Sequence, residues 1–168
     1  MPAGVVRSLV PHLVQTDRPI SSAIYGTVSV VAVIVAAAHD TSGVGGVLAV
    51  AAVSAVVVWA IHVYAAVLAE AGTGRTTWRA AFAEAFRDEL GVLEGASAPL
   101  LVLLLGAVGV LDDHRAVWWA VIVGIILLTV MPVVWLRRAG ARWLPSLLAS
   151  GVACLFGVVL IVMKVFAH

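Results

Sequence analysis

From residue 44 to residue 69 the chain reads VGGVLAVAAVSAVVVWAIHVYAAVLA, without one Asp, Glu, Lys or Arg. A helix needs about 20 apolar residues to cross the hydrocarbon of a bilayer. A water-soluble surface helix of such length carries a polar face, and this stretch has none. Four other segments share its character, so spans are expected at about 20–38, 44–69, 90–111, 116–136 and 144–166. The composition agrees: 63% of the 168 residues are hydrophobic and 11% charged, with a mean hydropathy of +1.14. Soluble domains are about half apolar and a quarter charged. The runs are continuous, without the ten-residue alternation of barrel strands. The expected fold is one all-α integral membrane domain of five transmembrane helices, residues 1–168.

Arginine placement sets the expected orientation. Arg7 and Arg18 precede the first span, and HDTSG after it has no Lys or Arg. Arg75, Arg79 and Arg87 follow the second span, Arg115 alone follows the third, and Arg137, Arg138 and Arg142 follow the fourth. This alternation predicts a cytoplasmic N-terminus and an outside C-terminus. Lys164 can snorkel at the outer interface. The opening residues lack the unbroken apolar core of a signal peptide, since Pro11 and His12 interrupt them. Arginine in place of lysine, the absence of asparagine and abundant Ala and Val suggest GC-rich coding, hence a bacterial inner membrane.

The longest connection contains TTWRAAFAEAFRDEL, expected as an amphipathic surface helix over about 77–89, with Thr77 as its cap. Trp78, Phe82, Phe86 and Leu90 recur at every fourth position and form an apolar stripe. Glu84 and Asp88 fall on another face and, with Glu89, make a cytosolic acidic face. That face is either a solvated edge or a surface that gathers metal ions or gates a path. Glu89 lies close in angle to the aromatic stripe, and Glu70 sits at the interface.

Ionisable groups inside a span are costly and usually serve a function. His62, Glu94 and Tyr25 all fall toward the cytoplasmic ends of their spans. His62 shares a helical face with Ala51, Ala55, Ala66 and Ala69; Tyr25 shares one with Ser21, Ser22, Ser29, Ala32 and Ala36; Gly91 and Gly95 bracket Glu94. Small-residue faces permit close helix packing in lipid. Tyr25, His62 and Glu94 are therefore expected to meet between spans one, two and three, with Tyr64 in support. An imidazole and a carboxylate can relay protons or ligate Fe, Mn or Zn, which makes His62 and Glu94 the candidate metal ligands. They can equally serve as hydrogen-bonded helix glue. Pro99 and Pro132 can kink spans three and four and free backbone carbonyls.

Other chemistry finds little support. EAGTGRTT lacks the first glycine and the lysine of a phosphate-binding loop. There is no His-Glu-x-x-His and no Gly-x-Ser-x-Gly. The lone cysteine, Cys154, sits in an apolar run and cannot form an internal disulfide. A net charge of +1 gives no reason to expect a nucleic-acid partner. No enzyme is expected.

The segments RPISSAIYGTVSVVAVIVAAA and LAVAAVSAVVVWAIHVYAAVLAE, with five spans and one longer cytosolic connection, resemble the vacuolar iron transporter family. The resemblance implies a five-helix scaffold and a tendency to dimerise. Where the family has Asn-Asp-Gly after the aromatic-glycine pair, this chain follows Tyr25 and Gly26 with Thr27, Val28 and Ser29. Where the family has Met and Glu-Tyr in the second span, this chain has His62 and Tyr64. An iron path like the family's would have to be rebuilt here.

The expected function is proton-coupled transport or permeation of a small ion, a divalent cation first, by a homo-oligomer, a dimer first. A non-transporting small subunit or scaffold of a larger membrane complex is the alternative, and an intramembrane lipid-binding protein or enzyme is a third.

Overall fold

The computed structural model describes residues 18–41, 43–72, 74 and 77–138, with isolated helical positions at 151, 152, 155, 159 and 162. The expected fifth span, 144–166, lies almost wholly outside them. The five described helices are α1 (Arg18–Asp40), α2 (Val44–Ala71), α3 (Trp78–Asp88), α4 (Leu90–Ala107) and α5 (Asp113–Arg138). Four stretches are long and apolar enough to cross a membrane: α1, α2, α3 running on into α4, and α5. No strand occurs among the described residues.

Loop lengths dictate the arrangement. The short connection between α1 and α2 and the turn at 108–112 fold α1 against α2 and α4 against α5 as antiparallel pairs. The pairs interlock: α1 and α4 pack closely on each other and on both other long helices, while α2 and α5 flank them and touch each other only slightly. Along the α1–α4 seam Ser22 meets Glu89 and Thr27 meets Gly95, so the two helices run parallel. Val30, Val31 and Ile34 of α1, Leu103 of α4 and Val121 of α5 fill the centre and are essentially inaccessible.

Two glycines set the closeness of that seam. A Cβ on Gly26 would fall into the carbonyl of Val92, and one on Gly95 into the carbonyl of Ala23. Without side chains there, the two backbones lie in direct contact, as small-residue interfaces in lipid allow. Gly124 of α5 likewise leaves room for Val31.

Pro99 makes the seam chemically specific. It is buried in α4, and it has no N–H with which to reach the carbonyl four residues back, that of Gly95. A freed carbonyl in a low-dielectric interior needs another donor. Thr27 of α1, fully buried, places its hydroxyl 2.9 Å from the Gly95 oxygen and 2.9 Å from its own helix's Ala23 oxygen. Thus the gap Pro99 opens in α4 is closed by α1.

The helix ends follow local rules. α4 stops before the expected 111 because Gly109, with φ +80°, turns left-handed. Its N–H donates to Gly106 O and that of Val110 to Leu105 O, the paired bonds of a Schellman cap. At the same end of the bundle, the N–H of Val44 opening α2 donates to Asp113 Oδ2 at 3.1 Å. One carboxylate thereby serves the N-termini of α2 and α5, where partial positive charge favours it. Thr77 caps α3 as expected, accepting from Ala80 N at 3.4 Å.

Candidate functional site

The polar residues singled out in the sequence gather at the end of the bundle where α1 begins and α2 finishes. His62 sits half-buried on α2, continuing the line of Ala51 and Ala55, which are buried in the core. Its Nδ1 lies 3.0 Å from Val58 O, one turn back, an arrangement in which a protonated Nδ1 donates to the carbonyl. That bond leaves Nε2 available. The ring packs on Tyr25 of α1, with centroids 4.7 Å apart and planes tilted by 56°. This pairing of Tyr25 with His62 is the one the small-residue faces predict.

Glu94 stands differently. The core side of α4 is the row Val92, Gly95, Ala96, Pro99, Leu103 and Gly106. Glu94 lies round the helix from it and is exposed, beside exposed Ser97 and Leu101. The hydroxyl of Ser97 donates to the backbone oxygen of Glu94 at 2.7 Å. Glu94 is nevertheless level with Tyr25, because Gly26 abuts Val92 and Thr27 reaches Gly95. Tyr25 itself is 52% exposed. The face of α1 that carries it, with Ser21 and Ala36, points out of the bundle, not into it. So Tyr25 and Glu94 share a depth on outward surfaces and do not share an interior cavity. The sequence pattern finds the small-residue row and misses which side of it each helix buries.

The acidic face also divides. Glu84 is exposed and Asp88 half-buried, as a solvated edge would be. Glu89 turns inward, 9% exposed, and its Oε2 accepts a 2.7 Å bond from the Ser22 hydroxyl. Glu89 occupies the junction between α3 and α4, with φ −88° and ψ 0°, and from there its carboxylate reaches α1. Glu89 still shares a narrow cleft with Glu70, Glu84 and Asp88, floored by Ala66, Ala81 and Ala85. Four carboxylates thus border one cleft. Among the described residues no three of His, Cys, Asp and Glu converge closely enough to hold a metal ion.

Tyr64 is 62% exposed and takes no part in the Tyr25–His62 pair; it borders an apolar groove between α2 and α3. Two residues that matter were not singled out as site residues by the sequence. Ser22 supplies the partner of Glu89, and Thr27 the partner of Gly95 O. The signal for Thr27 was present, since Pro99 fixes which carbonyl is orphaned, but nothing in the sequence says which helix answers it.

No protein-family model, curated protein or solved structure matches this chain.

Proposed function

We propose that this chain is a multi-pass protein of a bacterial inner membrane that moves a small ion in exchange for, or together with, protons. A divalent cation is the first candidate. The proposed orientation has the N-terminus, the 72–77 connection and the acidic cleft on the cytoplasmic side, following the arginines. The observation that carries the reading is the placement of Tyr25, His62 and Glu94 at one depth, two of them on outward surfaces of apolar helices. A carboxylate facing hydrocarbon is unfavourable by several kcal/mol on insertion scales of about 2.5–3.5. It is tolerated where another protein surface covers it. A second copy of the chain would bring a second set of these groups to the same depth, supplying the ligands that one copy lacks. The outward stripe of Ser21, Ser29, Ala32 and Ala36 beside Tyr25 suits such close packing. This keeps the dimer, and the kinship with vacuolar iron transporters, as part of the proposal.

In this scheme the cleft of Glu70, Glu84, Asp88 and Glu89 concentrates cations at the cytoplasmic mouth. His62 carries the proton and, with Glu94, contacts the ion, while Tyr25 supplies a hydroxyl contact; Tyr64, on the other side of α2, is left out of the path. The test is flux of iron(II), manganese(II) and zinc(II) into proteoliposomes across an imposed pH gradient. Saturable uptake that disappears in Glu94→Gln, with the variant still folded by size-exclusion profile, is the expected result. No uptake of any of the three by folded wild-type protein would overturn it.

A second reading has one observation in its favour: no three potential ligands converge among the described residues. Under it the chain is a non-transporting small subunit, and Glu94 and Tyr25 face a different membrane protein. Glu94→Gln would then weaken an assembly and leave no flux to lose.

A further inference from the structure

Helix α3 presents three distinct edges. Its buried line is Ala81 and Ala85, packed on Val63 and Val67 of α2. Its aromatic edge, Trp78, Phe82 and Phe86, meets α2 on the side of Trp59 and Ala60, toward the middle of the bundle. Its acidic edge, Glu84 and Asp88, meets α2 on the side of Ala66 and Glu70, toward the end of that helix. So α3 lies across α2 with its apolar edge facing the membrane interior and its acidic edge facing the water. At 28 residues, α2 is about 42 Å long by the rise of, more than the roughly 30 Å of hydrocarbon in. Its last turns, and α3 with them, therefore reach the headgroup level.

Beneath the aromatic edge is a groove of about 380 Å³, walled by Trp59, Ala60, Val63 and Tyr64 of α2 and by Trp78 and Phe82 of α3. It opens outward, for Trp78 is 56% and Phe82 50% exposed. The indole N–H of Trp59, in its wall, is buried and has no acceptor in the protein. Arg79, exposed, follows the aromatic stripe round α3, while Arg87 lies further round, one turn from Glu84. The charge beside the groove's outer lip is thus positive, and Glu84 and Asp88 lie across the buried Ala81–Ala85 line from it.

We propose that this groove is a binding site for an anionic phospholipid of the surrounding bilayer. One acyl chain lies under α3 against Trp59, Ala60, Trp78 and Phe82, and the headgroup phosphate is met by Arg79. The chemistry matches at both ends: an apolar slot bounded by aromatic rings takes the chain, and guanidinium groups suit phosphate oxygens. The site does not depend on ion transport, so it stands or falls separately from that reading.

Two of the six tryptophans, Trp59 and Trp78, line the groove, which gives a direct readout. With Trp118, Trp119, Trp135 and Trp143 replaced by Phe, the protein in detergent micelles is titrated with phosphatidylglycerol bearing brominated acyl chains, and separately with brominated phosphatidylcholine. Quenching should saturate, with phosphatidylglycerol binding about fivefold more tightly, as one interfacial arginine allows. Arg79→Gln should bring the two lipids level while Arg87→Gln leaves the preference in place, and Ala60→Phe, which fills the groove, should abolish saturation for both. Native mass spectrometry of the wild-type chain with the two unbrominated lipids checks the preference without any substitution. Non-saturating quenching that is equal for both lipids would overturn the site, as would equal retention of both lipids by the wild-type chain.

Discussion

Replacing Thr27 with Val tests the central device of the fold. The side chains are nearly the same shape, so the change removes a hydroxyl and little else. Thr27 is fully buried, and its hydroxyl stands 2.9 Å from the Gly95 oxygen. Pro99 cannot donate to that oxygen, so in Thr27→Val it is left buried and unpaired. A buried acceptor stripped of its donor costs about 1–3 kcal/mol. Interhelical hydrogen bonds measured in membranes average about 0.6 and reach about 1.7 kcal/mol. The single hydroxyl hydrogen is shared between Gly95 O and Ala23 O, both at 2.9 Å, so the expected loss is about 1–1.5 kcal/mol. Pro99→Ala alters this reckoning, because an alanine N–H at 99 can bond Gly95 O within α4. In that background Thr27→Val should cost at least about 1 kcal/mol less, a coupling typical of groups in direct contact. The assay is reversible unfolding of all four proteins in mixed micelles, followed by far-UV circular dichroism. Equal cost of Thr27→Val in both backgrounds would refute the reasoning, because Gly95 O would then not be the group that Thr27 serves.

Glycine substitutions should separate seam from surface: Gly95→Ala drives a Cβ into Ala23 O and should cost about 1–3 kcal/mol or more. Gly45→Ala in α2 meets nothing within 4 Å and should gain up to about 1 kcal/mol from helix propensity, both read in the same unfolding assay. Ser22→Ala removes the donor from Glu89 and should cost about 1.5–3 kcal/mol, as for bonds to charged groups. Glu89→Gln, which still offers Ser22 an acceptor, should cost less, and the reverse order would argue against a direct Ser22–Glu89 bond.

The helices themselves were legible because their signal is local. Absence of charge over twenty residues, Thr77 ahead of an amphipathic run and the arginine-bearing connections are all properties of neighbouring residues. Bounds at α2 and α3 accordingly fall within two residues of expectation. The end of α4 was misplaced although Gly109 was in view, since apolar residues continue past it and hydropathy cannot see a left-handed turn. Tyr25 beside His62 was also legible, because both lie on small-residue rows.

What the sequence could not hold is which side of each row is buried. In a soluble protein polarity separates inside from outside; in lipid both sides of a helix are apolar, and packing detail decides. Glu94 looked interior because Gly91 and Gly95 bracket it, yet α4 turns Gly95 and Pro99 to α1 and leaves Glu94 outside. By sequence Glu89 groups with Glu84 and Asp88 on an acidic face, although its angle falls near the aromatic stripe; at the junction of α3 and α4 its carboxylate meets Ser22 instead. The sequence by itself determined that the described part of this chain is helical, with segments long and apolar enough to cross a membrane, and where most of them start and stop, because those choices depend on a few consecutive side chains and the solvent they meet. Only the tertiary structure decided that Thr27 reaches α4 and that Glu89 turns inward while Glu94 stays outside, because those outcomes depend on groups 67 and 68 residues apart meeting across a helix seam narrow enough for backbones to touch.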